Sequence, residues 1–110
     1  METFNVVVSG NQIISFRLKK TIGRLIKIKG FEKYKFFIHK TVDKSIFDYN
    51  YSCTHFDSGM RVGTADKCKD AIKFTQDILK THGEIELNNL IKEHKLLFAK
   101  FKIKYPVNEI

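Results

Sequence analysis

The sequence contains little proline and little cysteine. Pro106 is the one proline in 110 residues, and Cys53 and Cys68 are the two cysteines. No low-complexity stretch or internal repeat marks a linker, so we expect one domain over residues 1–110. Two cysteines are too few for the disulfide framework of a small secreted protein, and in a reducing compartment each is expected to be a free, partly buried thiol.

Long apolar runs are also missing. No segment approaches the roughly 20 consecutive apolar residues of a membrane-spanning helix. The first four residues, Met-Glu-Thr-Phe, have neither the basic start nor the apolar run of a signal peptide. These absences predict a cytoplasmic protein without membrane contact.

Motifs for catalysis and for cofactor binding are absent as well. The sequence has no Gly-x-Ser-x-Gly, no phosphate-binding loop and no dinucleotide fingerprint. Cys53, His55 and Asp57 are the one compact set with nucleophile, base and acid, and a second Cys/His pair that could complete a zinc site is not present. We therefore predict a protein that is not an enzyme, with no catalytic residues, no metal and no cofactor.

Acidic residues and arginine are scarce relative to lysine. The formal net charge is +8, and three of the twenty basic residues are arginine. A surplus of this size attracts anions, and lysine supplies point charges for phosphates more than planar recognition of bases. Any contact with nucleic acid is therefore expected to be directed mainly at the backbone.

The first half to two-thirds of the chain has strand periodicity. β-Branched and aromatic segments alternate with turn signals such as Ser9-Gly10-Asn11 and Asp57-Ser58-Gly59. The pattern predicts five or six antiparallel strands, which cover residues 4–8, 13–18, 24–29, 34–42, 46–55 and 60–63.

The last forty-odd residues have helical periodicity. Thr64 is placed as an N-cap, apolar residues then recur at three- and four-residue spacing up to Gly83, and a second amphipathic segment follows to Phe101. The residues before Pro106 alternate like a short strand or an extended tail. The fold predicted is therefore α+β, with an antiparallel sheet packed by two C-terminal amphipathic helices. If part of the second helix's apolar stripe stays exposed, self-association as a homodimer through that helix is expected.

Basic residues are concentrated between positions 17 and 40, where nine of them stand against the single acid Glu32. If the strands bring them onto one face, they form a lysine-rich surface for a polyanion, with Tyr34 and Phe31 available for base stacking. The residues predicted to bind are Arg17, Lys19, Lys20, Arg24, Lys27, Lys29, Lys33, Tyr34, Lys35 and Lys40.

The leading hypothesis is a small, basic, non-enzymatic protein that engages nucleic acid or a nucleic-acid-containing complex. One alternative is an inhibitor or accessory protein, of the type that an AT-rich phage or plasmid encodes, which binds an acidic surface of a host protein. Another is a binder of small phosphorylated nucleotides at an anion loop that enters a helix N-terminus. That loop would use Ser58, Gly59, Arg61 and Thr64.

Overall fold

A computed structural model describes residues 2–9 and 16–109 of the chain. Five strands are followed by one helix. The elements are β1 (Glu2–Ser9), β2 (Phe16–Ile26), β3 (Phe36–Lys40), β4 (Tyr51–His55), β5 (Arg61–Ala65) and α1 (Cys68–Lys100). The strands form a single antiparallel sheet in the order β1-β2-β3-β4-β5, so each strand pairs with its neighbours along the chain. The predicted α+β class is confirmed, and of the predicted five or six antiparallel strands the described residues form five.

The prediction of two helices is wrong. Cys68–Lys100 is one helical element that contains a single residue outside helical geometry, Gly83, with φ 81° and ψ 169°. A residue with a Cβ rarely adopts that conformation, so glycine allows the chain to change direction there. The predicted boundary between two helices is therefore a kink within α1.

The predicted strand over residues 24–29 is also wrong. β2 continues without a break to Ile26, and residues 27–35 form a connection with turns. Ile28 and Phe31 of this connection are buried beside Leu79 of α1, so hydrophobic burial draws the segment under the helix and away from the sheet.

Other predicted boundaries shift for similar reasons. Residues 46–50 form a loop before β4, and residues 101–109 contain turns without a strand. Thr64 lies inside β5, and α1 begins after Lys67, which is extended and provides no side-chain cap. The predicted turn Ser9-Gly10-Asn11 and the start of the predicted second strand lie largely outside the described residues.

The two faces of the sheet have different neighbours. One face, which we call the helix face, carries Phe36, Ile38 and Cys53 and is covered by α1 through Ala71 and Leu79. Helix and sheet approach closely at Gly63 of β5. A Cβ built at this glycine would lie 2.3 Å from Thr75 Oγ1 of α1. In the described residues α1 is the one helix, and it is not apolar enough over a sufficient length to cross a membrane.

The opposite face, which we call the cavity face, curls until β1 meets the turn between β4 and β5. The Val7 amide donates a hydrogen bond to the Gly59 carbonyl at 2.8 Å. At one end of the curl Phe4, Phe37 and Phe56 pack together, with the Phe4 and Phe37 rings stacked at 4.5 Å between centroids. The other end stays open and forms a cavity.

Candidate nucleic-acid interface

The predicted basic residues on β2 divide between the two faces of the sheet. Arg17 pairs with Val8 and Lys19 with Val6, which puts both on the cavity face. They share Asp43, with Arg17 Nη2 3.3 Å from Oδ2 and Lys19 Nζ 2.5 Å from Oδ1. The hydrogen bond from Lys19, and then the charges of both cations, lower the pKa of Asp43. One carboxylate therefore offsets part of this charge.

Lys20 and Arg24 lie on the helix face instead. Lys20 pairs with Asn5 of β1, and Arg24 pairs with Ile38 of β3. Arg24 Nη2 also donates to Cys68 Sγ at 3.6 Å, at the first turn of α1. The basic residues of β2 consequently do not form one surface.

Four further basic residues of the predicted set lie on the connection between β2 and β3. Lys33 forms an ion pair with Glu84 of α1, and Lys35 Nζ lies 5.4 Å from the centre of the Phe56 ring. Lys27 and Lys29 are exposed. Because residues 27–35 are not in the sheet, the strands do not bring these lysines onto one face as the predicted lysine-rich surface requires.

The aromatic side chains predicted for base stacking are turned toward the protein. Phe31 is 9% exposed and belongs to the core. Tyr34 is half-buried, and its hydroxyl donates to Asn88 Oδ1 at 2.6 Å. Lys40, the last member of the predicted set, is exposed at the end of β3.

A different basic surface forms where α1 runs beside the end of β2 and the connection after it. Two hydrogen bonds join these segments. One runs from Arg24 to Cys68 Sγ, and the other runs from Gln76 Nε2 to the Lys29 carbonyl at 3.3 Å. At 100° per residue, three exposed lysines lie just beyond Gln76 on this side of α1. We call the combined set the helix–loop basic surface, and it consists of Arg24, Lys27, Lys29, Lys69, Lys73 and Lys80.

The helix–loop basic surface keeps its positive charge. None of its six members forms an ion pair with a residue in the described ranges. The nearest acids on the same stretch of α1, Asp70 and Asp77, lie about 40–100° further round the helix. Glu32 accepts a hydrogen bond from the Gly30 amide at 2.7 Å, so its carboxylate is engaged within its own turn.

Sequence reasoning missed Lys69, Lys73 and Lys80. Their face of the helix contains both signs of charge, and that mixture is typical of ordinary solvated surface. The signal was present in the spacing, because residues 69, 73 and 80 fall within about 40° of each other on a helix. Which structure lies beside that stripe depends on tertiary contacts, and the sequence does not show them.

The predicted anion loop is not assembled in the described structure. The Ser58 hydroxyl is buried and donates to His55 Nδ1 at 2.8 Å. Gly59 is packed against Val7, and Thr64 is in a strand. Arg61 alone is exposed, on a strand and away from any helix N-terminus.

The compact set around Cys53 is not an activated nucleophile. Burial raises the pKa of the Cys53 thiol to about 11, and burial lowers the pKa of His55 to about 4. At neutral pH the thiol is protonated and the imidazole is neutral, and His55 is held by Ser58. Within the described residues no three potential metal ligands cluster. The absence of catalysis and of a metal stays a prediction.

Comparisons of this chain with protein-family models, with curated proteins and with solved structures found no match.

Proposed function

We propose that this chain is a non-enzymatic protein that binds nucleic acid, or a complex containing it, through the helix–loop basic surface. The observation that carries the proposal is that six exposed cationic side chains lie on neighbouring parts of β2, the following connection and α1, and that none of them forms an ion pair among the described residues. Three of the six, Arg24, Lys27 and Lys29, belong to the set predicted from sequence.

The spacing along α1 suits a phosphate backbone. Lys69 and Lys73 are four residues apart, which corresponds to a rise of about 6 Å along the helix. That rise is close to the distance between successive phosphates of an extended strand. Five of the six cations are lysine, which neutralises phosphates without reading base edges. Binding is therefore expected to show little sequence preference and a strong dependence on salt.

The test is fluorescence anisotropy with labelled single-stranded and double-stranded DNA and RNA across a salt series. A triple variant, Lys29→Gln/Lys69→Gln/Lys73→Gln, removes three exposed charges from the surface. For a duplex, each phosphate contact contributes about 0.9 to the slope of log K against log salt. We expect the triple variant to make this negative slope shallower by about 2.7 and to weaken binding at low salt.

A matched control removes the same charge elsewhere. Lys44→Gln/Lys100→Gln/Lys104→Gln changes three exposed lysines outside the helix–loop basic surface. We expect this control to keep most of the salt slope. Equal loss in both triple variants would mean that net charge alone drives binding, and that result would contradict the proposed surface.

An ordered, exposed turn favours a second candidate function, the binding of a host protein. Ile46 and Phe47 are each 88% exposed. Their turn is held by hydrogen bonds from the Ser45 amide to Asp48 Oδ2 at 3.0 Å and from the Asp48 amide to the Ser45 carbonyl at 3.1 Å. Apolar side chains presented on a preformed turn lose little entropy when a protein partner buries them.

The test of this second candidate is a pull-down from host lysate. We expect a protein partner that stays bound to this chain after nuclease treatment and that no longer binds the Ile46→Ser/Phe47→Ser variant. The control is Ile85→Ser, which removes another largely exposed apolar side chain, 80% exposed, from α1. A protein partner at this turn is contradicted if the turn variant still binds the partner as well as the unmodified chain does. It is also contradicted if nuclease treatment abolishes binding.

A further inference from the structure

The open end of the curled sheet contains a cavity of about 500 Å³. Its walls come from the cavity face, through Val6 and Val8 of β1 and Thr54 of β4, and from Met60 beyond the β4–β5 turn. The volume falls within the range of about 300–1,000 Å³ that is usual for small-molecule sites. The helix–loop basic surface is on the other side of the sheet, so this cavity plays no part in the proposed function.

Buried polar side chains form the floor of the cavity. His39, Ser52 and Thr54 are 6%, 1% and 1% exposed, and all three line it. His39 Nδ1 donates to the Lys40 carbonyl at 2.7 Å, and the Thr54 hydroxyl donates to His39 Nε2 at 2.6 Å. Burial lowers the pKa of His39 and so favours the neutral imidazole, and these two bonds fix its tautomer. Hydroxyl oxygens of the floor retain lone pairs that a ligand's N–H or O–H groups can use.

Two arginines are the exposed cations of the lining. Arg17 extends from β2 and Arg61 from β5. Arg61 forms no ion pair with any described residue, and its charge is near enough to depress the pKa of His39. Arg17 shares Asp43 with Lys19, so that group of three keeps one net positive charge. The remaining acid of the lining, Asp48, accepts a hydrogen bond from the Ser45 amide, and this bond, followed by the charges of Arg61 and Lys44, lowers the pKa of its carboxyl. Asp48 therefore offsets part of the charge of Arg61.

We propose that this cavity binds a small organic anion, with an apolar or flat body against the valine wall and a phosphate or carboxylate head between Arg17 and Arg61. Guanidinium groups bind both heads through paired hydrogen bonds. A nucleoside monophosphate fits the volume and the hydroxyl-lined floor, and an aromatic carboxylate has the same head-and-body chemistry at smaller size.

The test is a titration of isotope-labelled protein, followed by amide chemical shifts. The probes are the four common nucleoside monophosphates, salicylate and inorganic phosphate, each to about 5 mM, a range that detects millimolar affinity. We expect saturable shifts at Val8, Thr41 and Arg61 with a nucleoside monophosphate or with salicylate, and the responding probe identifies the class of head. Inorganic phosphate, which has no body to bury, should bind at least tenfold more weakly.

Variants separate the cavity from general anion attraction. Arg61→Gln should weaken binding at least tenfold, and Arg61→Lys should restore part of the loss. Lys92→Gln, which removes the same charge at an exposed position of α1 outside both the cavity and the helix–loop basic surface, should change the dissociation constant less than twofold. The proposal is overturned if no organic probe gives saturable shifts, if phosphate alone binds equally well, or if Arg61→Gln and Lys92→Gln have the same effect. Because Arg61 is exposed, its replacement leaves the core intact.

Discussion

Asn108 joins β1 to the residue that follows β4, and replacing Asn108 tests how much this connection stabilises the curled sheet. Its Oδ1 accepts from the Asn5 amide at 2.7 Å, and its Nδ2 donates to the carbonyls of Asn5 at 2.8 Å and Phe56 at 2.9 Å. The side chain is 7% exposed. One amide group thus joins β1 to the end of β4 through three hydrogen bonds.

Asn108→Ala should lower the free energy of unfolding by about 3 kcal/mol, because each of the three hydrogen bonds contributes about 1 kcal/mol net. Asn108→Asp should be at least as damaging. It keeps the acceptor for the Asn5 amide, but it directs a carboxylate at two carbonyl oxygens and loses both donated bonds. Urea denaturation followed by circular dichroism measures both variants, with Asn89→Ala at an exposed position as the control.

The reasoning is refuted if Asn108→Ala stays within about 0.5 kcal/mol of the unmodified chain, the usual range for a surface change. It is also refuted if Asp at position 108 is tolerated as well as Asn. The first result would mean that β1 reaches the β4–β5 turn without this side chain. The second would mean that the hydrogen bonds donated to the two carbonyls contribute nothing to the free energy of unfolding.

The remaining predictions concern pH and the contact between helix and sheet. Because the pKa of His55 is about 4 when folded and about 6.5 when unfolded, the unfolded chain binds more protons between these values. The contribution of His55 to the free energy of unfolding should therefore be complete above about pH 6.5 and fall by up to about 3 kcal/mol toward pH 4. Urea titrations at a series of pH values should show a shallower decline for His55→Gln. An unchanged decline in that variant would contradict the assignment to His55. Gly63→Ala should cost about 1–3 kcal/mol through overpacking, because its Cβ would lie 2.3 Å from Thr75 Oγ1 and 2.9 Å from the Thr75 amide nitrogen. Thr75→Ala should not rescue it, since the backbone contact remains, and full rescue would show that the hydroxyl alone sets the spacing.

Local patterns predicted the class of fold and the approximate position of most elements. The β-branched run of β1 and the apolar and aromatic residues of β3 and β4 predict strands, because their side chains meet a core on both faces of the sheet. Gly83 was recognised as a break in the helical pattern, yet the pattern could not show that the helix resumes one residue later.

The main failures have tertiary causes. The alternating residues 24–29 satisfy strand periodicity, but Ile28 is 1% exposed under α1, and its burial ends β2 at Ile26. Thr64 is a good capping residue, but pairing with Ser52 keeps it in β5. The predicted basic cluster separated for the same reason, because which neighbours flank a lysine depends on how the connection after β2 packs on the helix.

The hydrogen bonds between Asn5 and Asn108 span 103 positions of the chain. Contacts over such separations are expensive in loop entropy and slow to form. During synthesis, the first strand can pair with β2 early, but its other edge gains the hydrogen bonds from Asn5 to Val107 and Asn108 only when the last residues of this sequence have been made. The cavity should accordingly be among the last parts of the molecule to take shape, and a ligand that occupies it would select chains that have finished folding.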